Sequence, residues 1–190
     1  LTEPAFGKSF SETFDTNGVS ILDLGSGVGN LLRDQEELGW KSKIVGVDLL
    51  GEGGDEESKI KSIFGDPANS VKPAPRGVIA NWLHLPFQDN SFDYILAYES
   101  FPRYPFPGQY GHESKNLTEA DFKNMSFDEL TRVAKSGCIW RGTLAGQISY
   151  EPDSELDKLQ KKYINPVFKE FIDRGWKVIS LGKKFIAIKK

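Results

Sequence analysis

The chain has 190 residues, with 38% hydrophobic and 27% charged residues, which is typical of one globular domain with a substantial core. A formal net charge of -3 gives no global basic field for nucleic acid or a membrane surface, although a local basic patch stays open. The single cysteine, Cys138, excludes an internal disulfide and favours a reducing, cytoplasmic compartment. No apolar run reaches the roughly 18 residues of a membrane span. The sequence begins at Leu1 without a signal-peptide pattern, and we expect residues upstream of it to be missing.

The N-terminal segment 1–17 carries three phenylalanines at four-residue spacing, Phe6, Phe10 and Phe14. This spacing predicts a short amphipathic helix. Two interpretations stay open for it: a lid over a bound ligand, or a cover for the edge of a sheet.

The stretch from Val19 to Asn30 reads V-S-I-L-D-L-G-S-G-V-G-N. It predicts a buried strand, a tight glycine turn, and a helix over 31–38 whose first N–H groups face a ligand. Similar glycine patterns mark dinucleotide sites, but here the third glycine falls one place early. Asp23 also lies inside the apolar strand, where a carboxylate is costly unless a partner satisfies it.

The next strand, from Lys43 to Leu49, contains Asp48 near its end. A carboxylate about 20 residues beyond a glycine turn can accept hydrogen bonds from both ribose hydroxyls of a nucleotide. The alternative is a simple turn residue at the end of the strand. The acidic, turn-rich segment 51–75 receives no functional interpretation.

A short third strand is predicted over 77–80, and a fourth over 92–97 after the block L-P-F-Q-D-N-S-F-D. In an open parallel sheet, ligands bind past the carboxyl ends of the strands. The segment 98–117 follows that end and contains three prolines among aromatic residues, which disfavour a regular helix. We predict that this segment binds a second ligand, the acceptor of a transferred group. A purely structural loop is the alternative.

The later chain predicts a helix over 117–135, with Thr118 or Ser126 as its N-cap and Gly137 at its end. A fifth strand over 138–144 follows, and then a long helix over 155–174 that Pro166 kinks or divides. The last two strands, from Trp176 onward, form a hairpin around a turn at 182–183.

Three motifs together resemble class I S-adenosylmethionine-dependent methyltransferases: D-x-G-x-G-x-G at 23–29, L-P-F-x-D-x-S-F-D at 85–93, and R-V-A-K-S-G at 132–137. The second motif is most similar to that of ubiquinone and menaquinone C-methyltransferases. The resemblance implies a Rossmann-like α/β fold in one domain over 1–190. Its sheet would be doubly wound, seven-stranded and mostly parallel, with an antiparallel C-terminal hairpin strand.

The resemblance also implies S-adenosyl-L-methionine as the cofactor. In that family the acidic residue of the first motif orders water and the cofactor's amino group, while the glycine loop wraps the methionine moiety. Asn81 stands where the family usually has an Asp on the adenine amino group, and Trp82 would meet the adenine or fill the core. The residues expected to bind the cofactor are Asp23, Gly25, Ser26, Gly27, Gly29, Asp48, Leu49, Asn81, Trp82 and Tyr98.

The predicted function is methyl transfer to a small-molecule acceptor, with Glu99, Tyr104 and His112 as candidate catalytic residues. An RNA or protein methyltransferase and a non-catalytic cofactor-binding subunit are the alternatives, and nucleic acid is disfavoured by the charge. An NAD-dependent oxidoreductase is less compatible, because of the glycine spacing and Asp23. No metal site and no membrane contact are predicted, and the acceptor and the oligomeric state are left open.

Overall fold

The computed structural model describes residues 10–26, 30–48, 77–98, 118–143, 168–181 and 184–190. Its helices are α1 (Phe10–Phe14), α2 (Asn30–Leu38) and α3 (Glu119–Val133), and residues 168–173 are also helical. Its strands are β1 (Ser20–Leu24), β2 (Lys43–Asp48), β3 (Gly77–Ile79), β4 (Phe92–Tyr98), β5 (Ala134–Thr143), β6 (Trp176–Leu181) and β7 (Lys184–Lys189). Within these ranges, no helix is both long and apolar enough to span a bilayer.

The described strands form one seven-stranded sheet in the order β3-β2-β1-β4-β5-β7-β6. The five strands from β3 to β5 pair in parallel, whereas β7 pairs antiparallel with both β5 and β6. The strand order reverses between β1 and β4, and ligands bind at such a switch point in open α/β sheets. The predicted fold class is therefore confirmed, including the antiparallel hairpin.

Both faces of the sheet are covered, as a parallel sheet requires. On one face, Ile21 and Ile44 pack with Leu32 of α2 and with Phe14. The other face holds the larger core, in which α3 and the helical residues 168–173 contribute aromatic rings. Trp140 lies at the centre of this group, with ring contacts to Phe127, Phe171, Trp176 and Phe185.

Phe14 belongs to the core, since it is fully buried and its ring stacks on Trp40 with 4.5 Å between ring centroids. Its carbonyl also accepts a hydrogen bond from the Ser42 N–H at 3.0 Å. Phe14 therefore packs on the face of the central strands β1, β2 and β4, rather than on an edge of the sheet as one of the two interpretations expected. Residues 1–9, with the rest of the proposed lid, lie outside the described residues.

The N-cap of α3 is Thr118, whose hydroxyl accepts from the Asp121 N–H while the Asp121 carboxylate accepts from the Thr118 N–H. The capping hydrogen bonds hold the pKa of Asp121 below its ordinary value. Ser126, the other candidate cap, is buried inside the helix. Thr118 is thus the correct choice of the two.

The predicted end of α3 at Gly137 is wrong: the helix ends at Val133 and β5 begins at the next residue. Pairing of β5 with β4 starts at Phe92 and Ala134, and its register then shifts before Tyr94. Gly137 lies inside that irregularity with a φ of 78°, which favours glycine. The glycine therefore accommodates a bulge within the strand.

Cys138 follows the bulge and is buried, and burial raises the pKa of its thiol to about 12. The thiol is consequently protonated near neutral pH. Cys138 is therefore a small buried core residue and not a nucleophile.

Gly142→Ala should destabilise the fold, because a Cβ at this position of β5 would lie 2.6 Å from the Ala97 carbonyl oxygen and 2.6 Å from the Phe185 ring. We expect a loss of about 1–3 kcal/mol in the free energy of unfolding, measured by urea denaturation. Ser136→Ala, at an exposed position of the same strand, is the control. Equal unfolding midpoints for the two variants would contradict the close packing of β4 and β5.

Candidate functional site

The turn after β1 is held by one carbonyl group of the neighbouring strand. The N–H groups of Gly25 and Ser26 both donate to the Val47 oxygen, at 2.7 and 3.0 Å. Gly25 has a φ of 75°, in the left-handed region that glycine occupies without strain. The turn therefore lies against the carboxyl end of β2, beside Asp48.

Gly46, which was not among the predicted site residues, makes this close approach possible. A Cβ there would lie 2.8 Å from both the Leu32 Cδ1 and the Ser26 Oγ. The sequence carries a signal for this contact, since a glycine inside an apolar strand often marks the close approach of other groups. The missing side chain lets the turn and α2 pack directly on β2.

Asp23 lies in β1 opposite Gly46, and only 8% of its surface is exposed. Burial, and then the negative charge of Asp48, raise the pKa of its carboxyl from 3.8 to about 7. The described residues contribute no hydrogen bond to this carboxylate. A cationic or hydrogen-bonding ligand at this position would compensate for part of the burial cost.

The segment after β3 is joined to the same edge of the sheet. The Ala80 N–H donates to the Asp48 carbonyl at 3.1 Å, and the His84 N–H donates to the Asn81 carbonyl at 3.0 Å. The Asn81 side-chain oxygen accepts from the Leu83 N–H at 2.9 Å. This turn bond holds the Asn81 side chain close to the end of β3.

Trp82 is 4% exposed and belongs to the larger core. This burial favours the core interpretation of its ring. A ligand contact at this position would then involve its backbone N–H rather than its ring.

The structure thus places Asp23, Gly25, Ser26, Asp48 and Asn81 along the carboxyl edge of β1 to β3. Of Tyr98, only the backbone at the end of β4 is described. The remaining predicted site residues lie outside the described ranges and stay predictions: Gly27, Gly29, Leu49, Glu99, Tyr104 and His112. Within those ranges, no group of three or more His, Cys, Asp or Glu side chains could hold a metal ion.

A family model described as a methyltransferase domain matches residues 22–139, which is more than half of the chain. The chain therefore belongs to the methyltransferase domain family, and its sheet order is that of the class I fold. Proteins of this kind typically bind S-adenosylmethionine. No curated protein matches the sequence.

Several solved methyltransferase structures share the fold. A S-adenosylmethionine-dependent methyltransferase from Methanosarcina mazei is 17% identical, with a TM-score of 0.53 over 96% of this chain and 97% of that chain. A Galdieria sulphuraria protein, provisionally described as a sarcosine dimethylglycine methyltransferase, is 16% identical, with a TM-score of 0.53 over 90% of this chain. A chain from the complex between the Haloferax volcanii Trm112 methyltransferase activator and a provisionally assigned methyltransferase is 21% identical, with a TM-score of 0.50 over 86% of this chain.

The chain spans only 58% of the length of the Galdieria protein and 64% of that of the Haloferax chain. At these identities the likeness shows the fold alone. Membership of the ubiquinone and menaquinone C-methyltransferase subfamily, which the second motif indicated, is not confirmed by these similarities.

Gly46→Ala should displace the Ser26 turn, because its Cβ would overlap both Ser26 and Leu32. We expect the affinity for a ligand held by the turn to fall about fivefold or more, as roughly 1 kcal/mol of crowding implies. S-adenosylhomocysteine, the demethylated cofactor, is the ligand to titrate by calorimetry. Gly142→Ala is the matched control, because it introduces a similar steric overlap between β4, β5 and β7, away from the Ser26 turn. Equal affinities for the two variants would contradict the role of Gly46.

Asp23→Asn should change the pH dependence of folding. Because the folded-state pKa of Asp23 is about 7 against 3.8 ordinarily, the folded chain binds this proton more tightly. The resulting stabilisation is fully present below the ordinary pKa and is lost as pH rises through about 7. Between about pH 5 and about pH 8, urea denaturation should show the natural chain losing roughly a few kcal/mol relative to Asp23→Asn. Parallel stability curves for the two proteins would show that Asp23 titrates normally.

Proposed function

We propose that the chain binds S-adenosylmethionine at the carboxyl edge of β1 to β3 and transfers its methyl group to a small-molecule acceptor. The observation that carries the proposal is the pair of hydrogen bonds from Gly25 and Ser26 to Val47, which places the turn beside Asp23 and Asp48. Family membership supports the cofactor class.

The residues at this edge fit the parts of the cofactor in order. The turn would hold the methionine end, where the Asp23 carboxylate complements the cationic amino group. Asp48, one strand away, would accept hydrogen bonds from the ribose hydroxyls. Asn81 follows β3 and would meet the adenine, with Leu49 and the Trp82 backbone beside it.

S-adenosylmethionine supplies an already activated methyl group, so the protein mainly has to align the acceptor and exclude water. A general base is needed only for an acceptor that loses a proton. Glu99, Tyr104 and His112 are our candidates for that base. They follow β4, whose carboxyl end adjoins β1 at the switch point of the sheet. The segment 98–117 remains our proposed acceptor-binding segment.

A nicotinamide-dependent oxidoreductase is the competing enzyme class for this kind of edge. The buried Asp23 argues against it, because a nearby carboxylate suits a cationic amino group better than a pyrophosphate. Calorimetric titration of the natural chain with S-adenosylmethionine and with NAD separates the two. Binding of NAD alone would refute the proposal.

A cofactor-binding subunit without activity of its own is the other alternative. The similarity to a chain from a complex with a methyltransferase activator makes a required partner worth testing. Tight cofactor binding without methyl transfer across a broad panel of small acceptors would favour that alternative. A salt-dependent affinity for RNA would favour an RNA acceptor instead. A cytoplasmic location remains an expectation from the single cysteine.

Asp48→Ala should weaken cofactor binding without unfolding the chain. Loss of charge-assisted hydrogen bonds to the ribose should cost about 2 kcal/mol, or roughly thirtyfold in affinity. Stability should hold, since removing the Asp48 charge also relieves its repulsion of Asp23. Calorimetric titration with S-adenosylhomocysteine and thermal denaturation measure the two effects.

The control for this experiment is Asp15→Ala, which removes an exposed carboxylate paired with Lys41. It should leave the affinity unchanged. If Asp48→Ala binds the cofactor as tightly as Asp15→Ala does, Asp48 has no part in the site.

A further inference from the structure

Arg132, near the end of α3, directs its guanidinium at the L-P-F-Q-D block that precedes β4. Nη1 donates to the Phe87 carbonyl at 2.7 Å and to the Asp89 carboxylate at 2.8 Å. Nη2 donates to the Leu85 carbonyl at 3.0 Å and to Glu129 Oε2 at 2.8 Å, and Nε donates to Glu129 Oε1 at 2.9 Å. All three guanidinium nitrogens are thus engaged, which only the planar fork of arginine permits.

Glu129 completes the connection from the other side. Its Oε2 accepts the Leu85 N–H at 2.8 Å, so both backbone groups of Leu85 are bound by the same ion pair. The hydrogen bond from Arg132 is the main cause that holds the pKa of Glu129 below its ordinary value. The Asn90 N–H also donates to the Arg132 carbonyl at 2.9 Å. Helix α3 therefore fixes the backbone of residues 85–90.

The opposite end of this segment is joined to the proposed cofactor edge. Ala80 donates to the Asp48 carbonyl, and Asn81 closes the turn that leads to Leu83. Leu83 and Leu85 are both buried. Residues 80–91 therefore form a bridge, held at one end by β2 and at the other by Arg132 and Glu129. We call it the 80–91 bridge.

We propose that Arg132 and Glu129 are positioning residues that set the 80–91 bridge at the adenine end of the cofactor site. This role rests on the proposed function, since it needs a cofactor whose adenine meets Asn81. The two side chains are 30% and 19% exposed, so solvent screens the pair only in part. Their charge-assisted hydrogen bonds to the backbone fix the position of the 80–91 bridge, whereas an ion pair between two surface side chains would leave the backbone free to move.

The test compares two ligands that differ at one end. S-adenosylhomocysteine has both the amino-acid end and the adenine end, whereas 5′-methylthioadenosine lacks the amino-acid end. Arg132→Met should weaken both ligands by the same factor, about tenfold. Gly46→Ala, at the other end of the site, should weaken S-adenosylhomocysteine and leave methylthioadenosine within about twofold. Calorimetric titration of the natural chain and of the two variants with each ligand gives the six affinities.

Arg174→Met is the matched control for loss of stability. Arg174 also contacts α3 through a 3.0 Å hydrogen bond to Asp128, and its guanidinium lies 5.4 Å from the centroid of the Phe127 ring. Its side chain is 19% exposed, and it is bonded to Glu170 as well. This variant should be destabilised too, but both ligand affinities should stay at the natural values. Equal affinities for Arg132→Met and Arg174→Met would overturn the positioning role.

Arg132→Lys provides a second variant if Arg132→Met does not fold. It keeps the charge but cannot make the paired hydrogen bonds of the planar guanidinium, so amide hydrogen exchange at Leu85 should quicken while that of β1 stays slow. The affinity for methylthioadenosine should fall by about threefold or more. Unchanged exchange and affinity in Arg132→Lys would contradict the proposal. Failure of the natural chain to bind S-adenosylhomocysteine would instead contradict the proposed function itself, and this role with it.

Discussion

The candidate site depends on one pair of hydrogen bonds, which two successive N–H groups donate to the Val47 carbonyl. It fixes the turn after β1 against the end of β2, and Gly46 provides the space that the turn requires. A side chain at position 46 would separate the turn from the strand. The distance from the turn to Asp48, and hence the span of the site, is therefore set by backbone geometry.

Two carboxylates lie close together at the carboxyl edge of β1 and β2, an arrangement that lowers the stability of the fold. Asp23 is buried next to Asp48, and both its burial and its neighbour oppose ionisation. An apolar residue at position 23 would give a more stable fold, because it would avoid the cost of burying a carboxylate. Departures of this kind from good local stability are typical of functional sites. The larger aromatic core around Trp140 and α3 supplies the stability on the opposite face.

The sequence predicted the strands and the turn that carry the candidate site, because each of them is a local feature of the chain. Asp23 and Gly25 lie in one short motif, so their strand and turn were accessible from the order of residues alone. Gly137 was misjudged, because its position in a bulge depends on pairing with β4 rather than on the helix before it. The hydrogen bonds of Arg132 could not be predicted, because its contact with Leu85 joins residues 47 positions apart. Local patterns carry no information about such tertiary contacts.

The most direct test of the account is a crystal structure of the chain with S-adenosylhomocysteine. We expect the amino-acid end of the ligand against the Gly25–Ser26 turn, the ribose hydroxyls on the Asp48 carboxylate, and the adenine beside Asn81. A ligand bound at any other edge of the sheet, or an edge that stays empty at saturating ligand, would contradict the assignment of this site.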